Sequence, residues 1–166
     1  MEVIKKFFKI ILVVLGIISY YPDVEVKNVF VYKDFKDSEL IRAQIKFENL
    51  LNSSLLEVIK SGNRLDISCI IKSYYANKIV FLDKITKTIS YESNIYLLDN
   101  KKFEKEEDLI DWISVFDFVI LSNKSKYVSK TIDTHIEIYC GSDLNVDVMS
   151  LWGNKPKIII SYEIEK

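Results

Sequence analysis

His135 is the only histidine in the chain, and Asp133 and Glu137 stand two residues to either side of it. Residues spaced by two along a strand point to one face, so an imidazole could meet a carboxylate there, as acid–base chemistry requires. A nucleophilic triad would also need an activated nucleophile and an oxyanion site. No nucleophile elbow, Gly-rich phosphate loop or paired-carboxylate signature accompanies the histidine. An exposed histidine on a polar strand face is the plainer reading, and no catalytic residue is assigned.

The two cysteines, Cys69 and Cys140, fall on the apolar faces of expected strands. If those strands were neighbours, a disulfide could close a loop of about 70 residues, stabilising by roughly 4 kcal/mol in the chain-entropy model. The alternative is two unpaired thiols packed as small hydrophobes. One histidine and two distant cysteines do not make a zinc site, which needs three or four ligands. Asp143, Asn145 and Asp147 imitate the start of a calcium loop, but Val148 stands where glycine allows the sharp turn and Asn154 where the bidentate Glu belongs. The acidic group Glu104, Glu106, Glu107 and Asp108 reads as a helix N-terminus, where the dipole favours negative charge. No metal or cofactor is expected. Tyr74, Tyr75, Tyr91, Tyr96 and the Leu151-Trp152-Gly153 turn are aromatic candidates for an interface, or equally for the core.

The elements that would carry these residues are mostly strands. Val24–Tyr32 alternates. Within Leu40–Leu50, Ile41, Ala43, Ile45 and Phe47 oppose Arg42, Gln44, Lys46 and Glu48, as in a half-buried strand. Asn52-Ser53-Ser54 can cap a short helix over Leu55–Lys60, with Gly62 at the C′ position where positive φ is cheap. Leu65, Ile67, Cys69 and Ile71 share a face, and Lys78–Tyr91 forms the second arm of a hairpin turning at Ala76-Asn77. Asn94–Leu98 is a further strand and Asp99–Lys102 a turn. Glu104–Phe116 is the clearest helix, with Leu109, Trp112, Ile113 and Phe116 on one side. Tyr127–Cys140 and Lys157–Ile164 close the chain as strands. The expected fold is mainly β, an antiparallel β-sandwich or a strongly bent sheet with two short helices, with α+β as the alternative.

Residues 1–21 differ from everything after them. Lys5, Lys6 and Lys9 precede an uncharged run of twelve, Ile10–Tyr21, which Pro22 and Asp23 stop. That is the layout of a secretory signal peptide. As a helix the run reaches only about 18 Å, short of the roughly 30 Å hydrocarbon core. A signal peptide or an N-terminal membrane anchor is therefore expected over 1–21, with a single β-rich domain over 24–166. Loss of the first nineteen residues removes three lysines and Glu2 and moves the net charge from −1 to −3. With only two arginines, Arg42 and Arg64, and no basic stripe, the chain lacks the surface a nucleic acid needs.

Three stretches resemble the family of small exported bacterial proteins called domain of unknown function 4390. They are Asn52–Arg64 (NSSLLEVIKSGNR), Ile89–Phe116 with its two Tyr-bearing strands before Phe103 and an acidic helix, and Tyr127–Ile138 with the terminal Ser161-Tyr162-Glu163. The Leu-Pro usual after that family's penultimate strand is absent, since Asp143–Val148 carries no proline. The resemblance implies export and a single β-rich domain, and brings no activity, cofactor or site residues. The expected role is an exported cell-envelope protein, periplasmic or otherwise extracytoplasmic, that works by binding an envelope protein or the membrane surface. An enzyme with a site dispersed over loops and a membrane-anchored structural protein are the alternatives. No small-molecule substrate is identifiable.

Overall fold

Period-two alternation places one apolar row on each of two antiparallel sheets, and the rows face a common core. The computed structural model describes residues 22–143, 148–154 and 156–165; residues 1–21, expected as a signal peptide or anchor, and residues 144–147 of the calcium-like stretch lie outside them. In chain order the elements are β1 (Glu25–Lys33), β2 (Ile41–Glu48), α1 (Ser53–Lys60), β3 (Leu65–Tyr75), β4 (Lys78–Glu92), β5 (Ile95–Leu98) and β6 (Lys101–Phe103). Then come α2 (Glu106–Ser114), β7 (Val115–Leu121), β8 (Thr131–Ser142) and β9 (Lys157–Glu163). Sheet A runs β1-β2-β7 and sheet B runs β6-β5-β4-β3-β8-β9. The fold is mainly β, with two antiparallel sheets and two short helices, as the sequence suggested.

On β2, Ile41, Ala43, Ile45 and Phe47 are buried; on β7, Phe116, Phe118 and Ile120 join them. Sheet B answers with Leu65, Ile67, Cys69 and Ile71 from β3 and Ile132, Ile136 and Ile138 from β8. The rings of Phe47 and Phe116 meet edge-on at 6.0 Å. Polar atoms inside this layer are few. Ser73 donates to the Ile120 carbonyl and shares a 2.7 Å hydrogen bond with Thr134, while the Tyr162 hydroxyl is buried beside the pair without a hydrogen bond of its own.

Local signals explain several boundaries. Asn52 caps α1 by accepting the Leu55 N–H, and Gly62 takes φ +92° just past its end. Ala76 and Asn77 both adopt positive φ, 48° and 61°, as a two-residue hairpin between right-twisted strands requires. Helix α2 is shorter than its periodicity suggested. It stops at Ser114 and passes directly into β7, so Phe116 packs from a strand and Trp112 is 52% exposed. Lys101–Phe103, expected as part of a turn, pairs with β5. Tyr127 lies in a 3₁₀ turn, and β8 begins only at Thr131. Among the described residues no helix is long and apolar enough to cross a membrane.

Candidate functional site

Strand β8 does set Asp133, His135 and Glu137 on one face, but each is engaged elsewhere. Asp133 accepts from the Ser161 hydroxyl at 2.5 Å, and Glu137 from the Tyr139 hydroxyl at 2.5 Å with Lys157 at 3.9 Å. The Tyr139 hydroxyl, more than the surrounding lysines, holds the Glu137 carboxyl below its ordinary range. The His135 ring packs on Tyr74 at 4.9 Å.

Cys69 and Cys140 lie on adjacent strands, β3 and β8, facing the core, and both thiols are free. The register pairs Cys69 with Ile138 and Ile67 with Cys140, so the cysteines are diagonal neighbours. Such positions are about 7–8 Å apart, beyond the usual Cα reach of a disulfide. Burial pushes both thiols up to about 12, which makes them poor nucleophiles. The acidic group at the start of α2 is structural: Glu106 bonds Lys60 at 2.6 Å and Tyr96 at 3.0 Å, tying α2 to the end of α1. Among the described residues no group of three or more His, Cys, Asp and Glu could hold a metal ion.

Of the aromatic candidates, Tyr96 and Trp152 are buried, and the Trp152 indole donates to the Leu50 carbonyl at 3.0 Å. Tyr75 packs edge-on against Tyr127. The exposed aromatic side chains among the described residues are others: Phe30, Trp112, Tyr139, and Phe35, which is 97% exposed.

Two features remain that the sequence reading passed over. The first is Lys87 on β4, opposite Ile67 and between Ile85 and Ile89 on the core-facing side. Its ammonium donates to the carbonyls of Trp112 at 2.8 Å, Ile113 at 3.4 Å and Val115 at 2.5 Å, and lies 4.4 Å from the centroid of the Phe116 ring. Those carbonyls belong to the end of α2, where a helix leaves acceptors unpaired and its dipole favours a cation. Burial pulls the Lys87 ammonium from 10.5 down to about 8. A lysine with a lowered pKa is a familiar nucleophile, but here all three donors are committed to backbone. Lys87 forms part of the wall of a cleft of about 710 Å³ that also takes in Leu98, Asp111, Trp112 and Val115.

The second feature is β1. Among the described residues it pairs with β2 alone, and none of them pairs with its other edge. Val29 and Val31 oppose Ile45 and Ala43 on the core-facing side, yet are 37% and 38% exposed where their partners are fully buried. Sheet A has three strands over the six of sheet B. Beyond β1, a groove of about 350 Å³ lined by Val31, Ile41, Tyr162 and Ile164 opens between the sheets. On the other face of β1, Phe30 and Tyr32 stand near Arg42, which bonds Asp117 at 2.9 Å. Compared with known protein families, characterised proteins and solved structures, the chain matches none of them.

Proposed function

We propose that the protein is an exported, non-catalytic binding domain of the cell envelope that takes an extended segment of a partner protein along the free edge of β1. The observation that carries this reading is the exposure of Val26, Val29 and Val31, 37–40%, opposite Phe47, Ile45 and Ala43, which are buried. An added strand would cover them, satisfy the open row of backbone N–H and C=O groups, and lie over the groove beside Tyr162. That is recognition by strand addition, in which main-chain bonds give affinity and alternate side chains give specificity. The basic start and twelve-residue apolar run of residues 1–21 support an extracytoplasmic location, with that segment cleaved or retained as an anchor.

The test uses the full chain in its native envelope, with a photoreactive benzoylphenylalanine in place of Phe35. A protein adduct is expected that disappears with Val31→Lys, because a lysine on a strand edge opposes pairing. It should persist with Ile159→Lys, a change at a more exposed site on β9. Adducts indifferent to Val31→Lys, adducts to lipid alone, or no adduct would overturn the reading.

A further inference from the structure

Two of the chain's own cations converge on the C-terminal end of α2. Lys87 is buried there against three carbonyls, and Lys101 places its ammonium 3.2 Å from the centroid of the Trp112 ring. The second contact is of a different kind. Trp112 and Lys101 are both exposed, and Lys101 follows immediately on the turn between β5 and β6. Nothing in the fold requires this ring face to be covered by this particular ammonium.

Three carboxylates border the cleft, and they differ in availability. Asp99 accepts the Thr88 N–H at 3.0 Å, and Asp117 is held by Arg42 and by the Tyr32 hydroxyl at 2.7 Å. Asp111 is left with one long contact, 3.8 Å to Lys46, and a side chain 79% exposed. An indole face and the exposed, weakly paired carboxylate of Asp111 beside apolar walls form a receptor for an organic cation. Lys87 turns its three donors to those carbonyls, away from the open face of the ring.

We propose that the cleft over Trp112 binds one guanidinium or ammonium group, that of an arginine or lysine side chain on a partner polypeptide, and that Lys101 occupies the place in the free protein. Lys101 then acts as a built-in competitor, and an incoming cation must displace it. The site faces the opposite edge of sheet A from β1 and does not depend on strand addition.

The test titrates the full chain with arginine capped as its N-acetyl amide, following Trp112 fluorescence, with Trp112→Phe to isolate the signal of buried Trp152. A saturable change is expected in the native chain and absent in Trp112→Phe. Removing the competitor with Lys101→Ala should tighten the apparent Kd about threefold or more, since the ring is then always vacant. Asp111→Asn should weaken it about threefold, the scale of one exposed ion pair. Capped citrulline, nearly the same shape without charge, should not compete. The proposal is overturned by no saturable Trp112 signal up to about 50 mM, a concentration at which even millimolar affinity saturates. It is equally overturned if Lys101→Ala leaves Kd unchanged or raises it, or if citrulline binds as well as arginine.

Discussion

Sheet A has two edges, and the chain treats them differently. At β7, which also pairs with β2 alone, the edge is partly covered: α2 runs straight into the strand, and Lys87 and Ser73 of sheet B donate to the Val115 and Ile120 carbonyls. Beyond β1 none of the described residues forms a further strand, and valines that face the core remain more than a third exposed. The same strand chemistry yields a partly covered border in one place and an open one in the other. What differs is whether a neighbouring element supplies donors and apolar cover. An edge left open beside a groove is a place for something extended to bind.

The sharpest way to break this comparison is to truncate two residues on one rung. Ile45 and Val29 oppose each other across β2 and β1. Ile45→Ala should cost about 3 kcal/mol, a fully buried truncation that leaves a cavity. Val29→Ala should cost less than about 1 kcal/mol, because much of the removed surface is already wet. Urea unfolding followed by circular dichroism reads both, and equal losses would mean that the β1 edge is sealed.

The covered edge is tested next, through its lysine. Lys87→Met should lose about 1–2 kcal/mol near neutral pH, because three carbonyls lose a charged donor. The pH dependence has a definite sign. Lys87 titrates at about 8 in the folded chain and 10.5 when free, so between those values the unfolded chain holds more proton. Stability from this group therefore rises as pH climbs from about 8 to 10.5. The gap between native chain and Lys87→Met should widen over that window; a gap independent of pH would show that Lys87 titrates normally.

The smallest effect belongs to the groove beside β1. Tyr162 buries a hydroxyl with no hydrogen bond, and burial pushes its phenol up to about 12. Tyr162→Phe should change stability by no more than about 0.5 kcal/mol, or raise it slightly, since the group removed was desolvated without return. A loss beyond about 1 kcal/mol would show that the hydroxyl is bonded after all.

Much of the fold was legible where one face is apolar and the other polar: β2, β3 and β8 announce themselves by alternation, and α1 by Asn52 and Gly62. Strand β7 was not, because Val115 and Phe116 continue the helical spacing of Leu109 and Ile113, with no glycine or proline to separate helix from strand. Trp112 was placed on the same side of the helix as Leu109 and Ile113, yet it is 52% exposed where they are buried. Lys87 carried a signal in its place between Ile85 and Ile89, a charge on a period-two apolar row, although only the partner strand decides which row faces inward. In β1, valines on one face and Phe30 and Tyr32 on the other leave no plainly polar side. That pattern fits an edge strand open on both faces, but the missing neighbour becomes apparent only when the strands of the two sheets are counted. The acidic start of α2 was read correctly as a helix terminus; that it would hold Lys60 on another helix depended on tertiary placement.

The order of strands in sheet A also has a consequence in time. Ile45 on β2 and Phe116 on β7 share a rung although about seventy residues separate them, a contact of the non-local kind that folds slowly. A chain made or delivered from its N-terminus forms the β1–β2 hairpin early and must keep it waiting for its third strand. At roughly 5–20 residues per second of synthesis, that interval is several seconds. Strands β3 and β4, which bring the facing layer, are made within that interval, so Ile41, Ala43, Ile45 and Phe47 gain cover from sheet B before their strand gains its second neighbour.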